Sequence, residues 1–217
     1  YNMSLEALQA KLVEAEKSGT LPKVVIPVHF SGQSCDMAEI HALSQRYGFH
    51  IIEDASHAIG AAYAGGPVGD CRFSTVAVFS FHPVKIITTG EGGVATTNDA
   101  ELAYRMATLR THGITRDPLR LERKDPPAWH YEQHMLGFNY RMIEIEAALG
   151  LSQLKRLDEF VAARNRLAAR YDTLLAKAPV VRPRVQSNCR SSFHLYVVRL
   201  PERASPRHRS VFEAMRN

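Results

Sequence analysis

Cysteine is scarce in this chain. The 217 residues hold three, Cys35, Cys71 and Cys189, far apart and with no C-x-x-C spacing. That excludes a disulfide framework and a cysteine zinc site, and reduced thiols are expected. No apolar run approaches the roughly 18 residues of a membrane-spanning helix, and the first residues lack the basic and apolar blocks of a secretory leader. Neither a membrane partner nor secretion is supported, and a cytoplasmic location is expected. Glycine fingerprints are missing as well. The glycine-dense stretch TTGEGG, from Thr88 to Gly93, fits neither G-x-G-x-x-G nor the phosphate-loop motif, which disfavours a nicotinamide dinucleotide site. No internal repeat or low-complexity tract occurs.

What is present is a mildly acidic body with a basic tail. The net charge is +5, yet from Phe160 onward lie twelve of the 27 Lys and Arg and only three of the 22 Asp and Glu. The tail arginines are dispersed and carry no RNA-binding or zinc-finger signature, so a solvated face is the better reading and no nucleic-acid partner is expected. No cluster with metal-ligand spacing appears, and no metal is expected. Hydrophobic residues make up 45% of the chain, ample for a packed core. The sequence starts at Tyr1 and stops within a helical pattern, RHRSVFEAMRN, and reads as a piece of something longer.

Periodicity predicts the order of elements. Ser4 caps a helix with Leu5, Leu8, Leu12 and Val13 at helical spacing, ending near Ser18-Gly19. KVVIPVHF reads as a buried strand because it is short, β-branched and nearly uncharged. Asp36 with Glu39 forms a capping box for a helix through Tyr47, which Gly48 stops. FHIIED is the next strand. Helices and strands alternating at short intervals argue for a parallel sheet with crossover helices, an α/β class. RFSTVAVFSFH and GGVATT are further strands, and Asp99 caps a helix to about His112. Residues 113–134, with Asp117-Pro118, Asp125-Pro126-Pro127 and Trp129, read as a long loop of the kind that covers sites or moves. Met142 to about Ala178 is helical, with Asp158 the cap of a second helix. RPRVQSNCRSS then links to a strand, FHLYVVRL. The expected division is a large domain over 1–157 and a linking helix with the start of a smaller domain over 158–217.

Two residues stand out chemically. Asp54, in IIEDASHAIGA, follows a strand directly, and in open α/β sheets ligands sit outside the carboxyl ends of strands. Its local alternative is a helix N-cap. His57 lies three residues on and either faces the same ligand or packs. Lys85, in SFHPVKIITTGEGG, is set among Pro83, Val84, Ile86 and Ile87. Apolar neighbours disfavour an ammonium and free an amine to attack carbonyls, whereas a snorkelling lysine is the plain alternative. Ser80 stands five residues before it, and Thr88, Thr89 and the glycines after it suit either a phosphate or a tight turn. A strand-end acid, a hydroxyl and a lysine are the groups pyridoxal phosphate requires, for its ring nitrogen, phosphate and aldehyde respectively.

EDASHAIGA, GDCRFSTVAVFSFHPVKIITTGEGGVATTND and LGFNYRMIEIEAALGLSQLKRL together resemble the DegT/DnrJ/StrS family of nucleotide-sugar aminotransferases, from near Tyr1 to near Leu200. The resemblance implies a fold type I enzyme: a three-layer α/β/α large domain of the aspartate aminotransferase kind and the start of a small α+β domain. It implies pyridoxal 5'-phosphate as cofactor. Lys85 would hold the cofactor aldehyde and shuttle the substrate proton, Asp54 would pair with the ring nitrogen, His57 would meet the ring face or phenolic oxygen, and Ser80 would bind the phosphate. Asn139 and Arg141, in GFNYRM, match residues lent to a neighbouring subunit's phosphate, which implies a homodimer with shared sites. His194, in SSFHLYV, lies where the small domain approaches the substrate. VVIPVHFSGQSCDM and HGITRDP look most like the subgroup that aminates a UDP-4-keto-6-deoxy-N-acetylhexosamine towards pseudaminic acid, with L-glutamate as donor. Its product would be UDP-4-amino-4,6-dideoxy-N-acetyl-β-L-altrosamine. Sugar 3-dehydratases on this scaffold carry His at the lysine position, so Lys85 speaks against that rival. A C3 aminotransferase, and a DNA-binding protein retaining the domain, remain as others. The family's upstream phosphate-binding turn and ring-stacking aromatic have no counterpart in these residues.

Overall fold

A computed structural model describes residues 1–201 and 207–216. Its centre is a four-stranded sheet in the order β1 (Val24–Val25), β2 (His50–Asp54), β5 (Val76–Ser80), β6 (Gly93–Thr96). The first three strands are parallel and β6 is antiparallel to β5. Helices α1 (Leu5–Ser18) and α2 (Met37–Tyr47) cover one face. Leu12, Met37 and Ile40 pack there on Val25, Ile51 and Phe49, and full burial of such a side chain contributes about 1.5–3 kcal/mol. Asp54 and Val78 are paired across β2 and β5. Since Cβ direction alternates along a strand, Ser80 lies on the same face as both, opposite the helix-covered one.

The α1 caps are as expected: Ser4 accepts from the Ala7 N–H, and Gly19 ends the helix in the left-handed region at φ 68°. Asp99 likewise caps α3 (Ala100–Leu109) through two backbone N–H groups. Four local expectations are corrected. The Asp36 carboxylate does not cap α2, because it accepts a 2.5 Å hydrogen bond from the Tyr63 hydroxyl instead. Asp158 stands inside the first turn of α5 (Leu157–Leu174), whose cap position is Arg156. KVVIPVHF is buried on one face only, with Ile26 53% exposed. Its ladder is broken into β1 and a single bridge, Val28 to Asp54, because Pro27 has no N–H to give. FHLYVVRL forms no strand among the described residues, where only Arg199 makes a β-bridge, to Val181.

The long loop is closed at its base by β7 (Ile114–Thr115) and β8 (Glu132–Gln133). Glu132 gathers it. Its carboxylate accepts from the backbone N–H groups of Glu122 and Arg123 and from His130 and His134, and these bonds hold its pKa down at about 2. The helical stretch after Met142 is two helices, α4 (Glu144–Leu154) and α5. After α5 the chain returns to the first half, where β9 (Cys189–Arg190) pairs with β3 (Ala62–Tyr63). β3 also pairs with β4 (Gly66–Pro67), and α6 (His208–Arg216) stands at the end.

Candidate active site

Asp54 ends β2. Its backbone is fixed on both sides, by Asp54 N–H to Pro27 O at 2.9 Å and by His29 N–H to Asp54 O at 3.0 Å. The side chain accepts from the Ser56 N–H at 3.0 Å. No helix follows, so the carboxylate caps a turn rather than a helix. Ser80 ends β5 beside it, on the same face of the sheet.

Lys85 lies in the loop that leaves Ser80. Thr89 N–H returns to Phe81 O at 3.0 Å, and Thr88 N–H is tied to the Gln153 side chain of α4 at 3.0 Å. Ile86 and Ile87 are buried and anchor the loop, whereas Pro83 and Val84 face outward. Lys85 is half-buried, with apolar company on one side only. The Thr88 and Thr89 hydroxyls are used within the turn, donating to Phe81 O and Glu91 O.

His57 joins the two. Its Nδ1 accepts from the Ser31 N–H at 3.3 Å, so the neutral ring carries its proton on Nε2. Its ring packs against Phe30 and, with centroids 4.5 Å apart, against His194. Burial first, then the nearby Lys85 charge, lowers the His57 pKa, while Asp54 opposes the shift. His194 is 9% exposed, and its Nδ1 is buried without a hydrogen-bond partner. Burial, then His57, Lys85 and Arg164, lower its pKa to about 4. Asp54, His57, Lys85 and His194 thus share one electrostatic neighbourhood.

Residues with no sequence signal build the wall behind His194. Arg164 of α5 donates to the carbonyls of Phe193 and His194, both at 3.2 Å, and Asn165 donates to Ser191 O at 3.0 Å. Ser192 donates from its hydroxyl to His57 O and from its N–H to Gly32 O. A Cβ on Gly32, at φ 99°, would stand 2.6 Å from Ser192 Oγ and 2.9 Å from Phe193 N. Only glycine permits that approach. Ser192 and its partners His57 and Gly32 are more than a hundred residues apart in sequence, and the Arg164 and Asn165 bonds span 26 to 30, which hides them all from any local pattern.

Asn139 and Arg141 are not brought to this cluster by any described contact. Both are exposed, and Asn139 lies in an extended segment bridged to Thr111. Exposed Leu136, Phe138, Tyr140, Ile143 and Ile145 surround them.

A pH dependence follows from the histidines. A folded-state pKa below 6.5 means the unfolded chain takes the proton first as pH falls. The stabilisation from neutral His194 is complete above pH 6.5 and is lost between there and about pH 4. Urea midpoints of the full-length protein should drop across that window, and His194→Gln should flatten the drop. An unchanged profile in the variant would contradict the assignment. Glu132 acts in a separate window, from 4.5 to about 2.

A model of the DegT/DnrJ/EryC1/StrS aminotransferase family matches residues 1–217. The chain is 44% identical over 207 residues to GDP-perosamine synthase of Caulobacter vibrioides, covering 93% of this chain and 50% of that protein. It is 37% identical over 201 residues to the UDP-4-amino-4,6-dideoxy-N-acetyl-beta-L-altrosamine transaminase of Campylobacter jejuni, covering 92% and 50%. Among solved structures, Helicobacter pylori PseC, an aminotransferase involved in the biosynthesis of pseudoaminic acid, superposes with a TM-score of 0.85 at 30% identity, over 99% of this chain and 54% of that one. The chain spans about half the length of the curated relatives it matches. The fold type I class is that of these neighbours.

Proposed function

Because this chain belongs to the DegT/DnrJ/EryC1/StrS aminotransferase family, whose members use pyridoxal phosphate, we propose that its parent protein transfers an amino group from L-glutamate to a UDP-linked 4-keto-6-deoxy-N-acetylhexosamine. The product is a 4-amino sugar for pseudaminic acid or a related surface glycan, made in the cytoplasm. The observation that carries this is the placement of Asp54 and Ser80 at adjacent strand ends on one face, with His57 three residues on packed against His194 and Lys85 in the loop that leaves Ser80.

The donor set fits the cofactor in kind. Asp54 and Ser80 end adjacent strands on one face, offering a carboxylate for the ring nitrogen and a hydroxyl for the phosphate. Lys85 offers the amine for the aldehyde. Pyridoxal phosphate, when bound, supplies a carbonyl that captures amines and a ring that accepts the electron pair left at the amino-acid carbon. Lys85 takes the proton from the donor's α-carbon and returns one to the sugar carbon, a role worth roughly 10² to 10⁴ in rate. Asp54 keeps the ring nitrogen protonated. His57 would meet the ring face or the phenolic oxygen, and His194 would contact the substrate.

Asn139 and Arg141 complete the phosphate site of a second subunit. Their exposure and the apolar side chains around them support a face covered by a partner copy. If so, mixing full-length Lys85→Ala and Arg141→Ala subunits should yield heterodimers with activity that neither variant has alone. No recovery would remove the shared-site reading.

Production of 2-oxoglutarate by the full-length protein with cofactor, glutamate and a panel of UDP-4-keto sugars tests the function, and its absence with every sugar sinks it. A second reading, a GDP-linked sugar, is favoured by the 44% identity to the perosamine synthase. GDP-4-keto sugars belong in the same panel.

A further inference from the structure

Behind Asp54, on the opposite face of β2, lies a buried His–Glu pair that none of the roles above employs. His29 is 0% exposed and Glu53 4%. His29 Nε2 is 2.7 Å from Glu53 Oε2, and the Ser74 hydroxyl donates to Glu53 Oε1 at 2.5 Å. Burying a carboxylate in a core is costly, and replacing a buried charged group and its partners by apolar side chains is often neutral or stabilising. Stability alone does not account for keeping one here.

Hydrogen-bond roles fix the protonation state. The Cys35 N–H donates to His29 Nδ1 at 3.1 Å. That nitrogen must therefore hold a lone pair, so the ring is a neutral imidazole whose only proton is on Nε2 and points at Glu53. Glu53 accepts on both oxygens and needs no proton of its own. The buried face of the strand end then carries one negative charge, one residue from Asp54.

The same histidine is bonded to the strand through its backbone. His29 N–H reaches Asp54 O, Asp54 N–H reaches Pro27 O, and Val28 bridges to Asp54. Directly after His29 come Phe30 and Ser31, which pack against and hydrogen-bond His57. One buried side-chain contact thus pins the backbone that presents Asp54 and the turn that seats His57. The titratable groups around this strand end are Asp54, His57 and Lys85 on the site side and Cys35 on the buried side.

We propose that Glu53 and His29 are positioning residues for Asp54: neutral His29 holds ionised Glu53 beneath the strand end, fixing the carboxylate that pairs with the cofactor and adding a negative charge that favours protonation of the ring nitrogen. This rests on the reading of Asp54 given above. Its chemistry requires no new ligand, only an anionic core group aligned with a cation-binding one across a single strand.

The test uses the full-length protein loaded with pyridoxal phosphate. Glu53→Gln keeps the volume and an acceptor but removes the charge. Expected are roughly tenfold weaker cofactor retention, the change that follows from losing one charge-assisted hydrogen bond, and a downward shift in the pH midpoint of the bound chromophore. A variant whose apoprotein melts lower but whose bound chromophore keeps the wild-type midpoint and affinity shows a merely structural pair and overturns the proposal. Should Glu53→Gln fail to fold, Ser74→Ala removes one donor to the same carboxylate. It keeps the charge but loosens the carboxylate, so it should weaken cofactor retention by less than Glu53→Gln does, and unchanged retention overturns the proposal equally. Wild-type protein that binds no cofactor would instead overturn the function proposed above.

Discussion

With Lys85 replaced by Ala, the full-length protein is expected to lose turnover by at least about 10², the scale of proton transfer by a positioned side chain, and to lose covalent capture of the cofactor entirely. The reason is that nothing else described in the neighbourhood is a primary amine. His57 and His194 are imidazoles, whose lowered proton affinities make them poor substitutes as cations and which cannot form a stable bond to an aldehyde. The fold should not suffer. Lys85 is half-buried, the turn it sits in is closed by backbone, with Lys85 N–H to His82 O at 2.9 Å, and the loop is anchored by buried Ile86 and Ile87. Borohydride treatment followed by intact-mass measurement reads the linkage directly: the wild type should gain the mass of the reduced cofactor, the variant should not. A variant that still gains it has its reactive amine elsewhere.

The second large effect is expected at Asp54. Asn there retains an oxygen to accept from the Ser56 N–H, now made at 3.0 Å, so the turn after β2 can persist. What disappears is the charge. A preorganised charge facing a developing one is typically worth 10² to 10³ in rate, roughly 3–4 kcal/mol. Turnover should fall by that range while Lys85 still captures the cofactor, which separates the two roles: one variant loses the bond, the other loses the electron acceptor. Wild-type turnover in Asp54→Asn would show that the carboxylate serves the turn alone, and single-turnover kinetics with glutamate would reveal it.

Much of this was legible in the residues. Ser4 and Gly19 announce the ends of α1 because capping is a contact within one turn of chain. FHIIED and RFSTVAVFSFH give β2 and β5, short apolar segments whose burial alternates between two faces once folded. Asp54 and Ser80 follow as strand ends. Where local reading fails, a distant group has intervened. Asp36 had the sequence of a cap, but Tyr63, 27 residues on, took its carboxylate. FHLYVVRL had strand composition, but a strand is a ladder, and Arg199 alone formed a bridge among the described residues. Glu53 looked like one letter of a strand. Its place on the buried alternation beside Ile51 was the available hint that it needed a partner, and His29 could be identified only in space.

By itself, then, the sequence determined most short-range features: which segments coil or extend, where most caps and turns fall, and which acid and hydroxyl end strands, with an amine in the loop after, in the order a pyridoxal enzyme needs. Tertiary structure alone decided that His194 packs on His57, that Gly32 must be glycine so Ser192 can approach, and that a neutral His29 meets an anionic Glu53 under Asp54. Those contacts join residues that periodicity treats as unrelated, and their energies come from burial and hydrogen-bond satisfaction, which exist only once the chain has closed on itself.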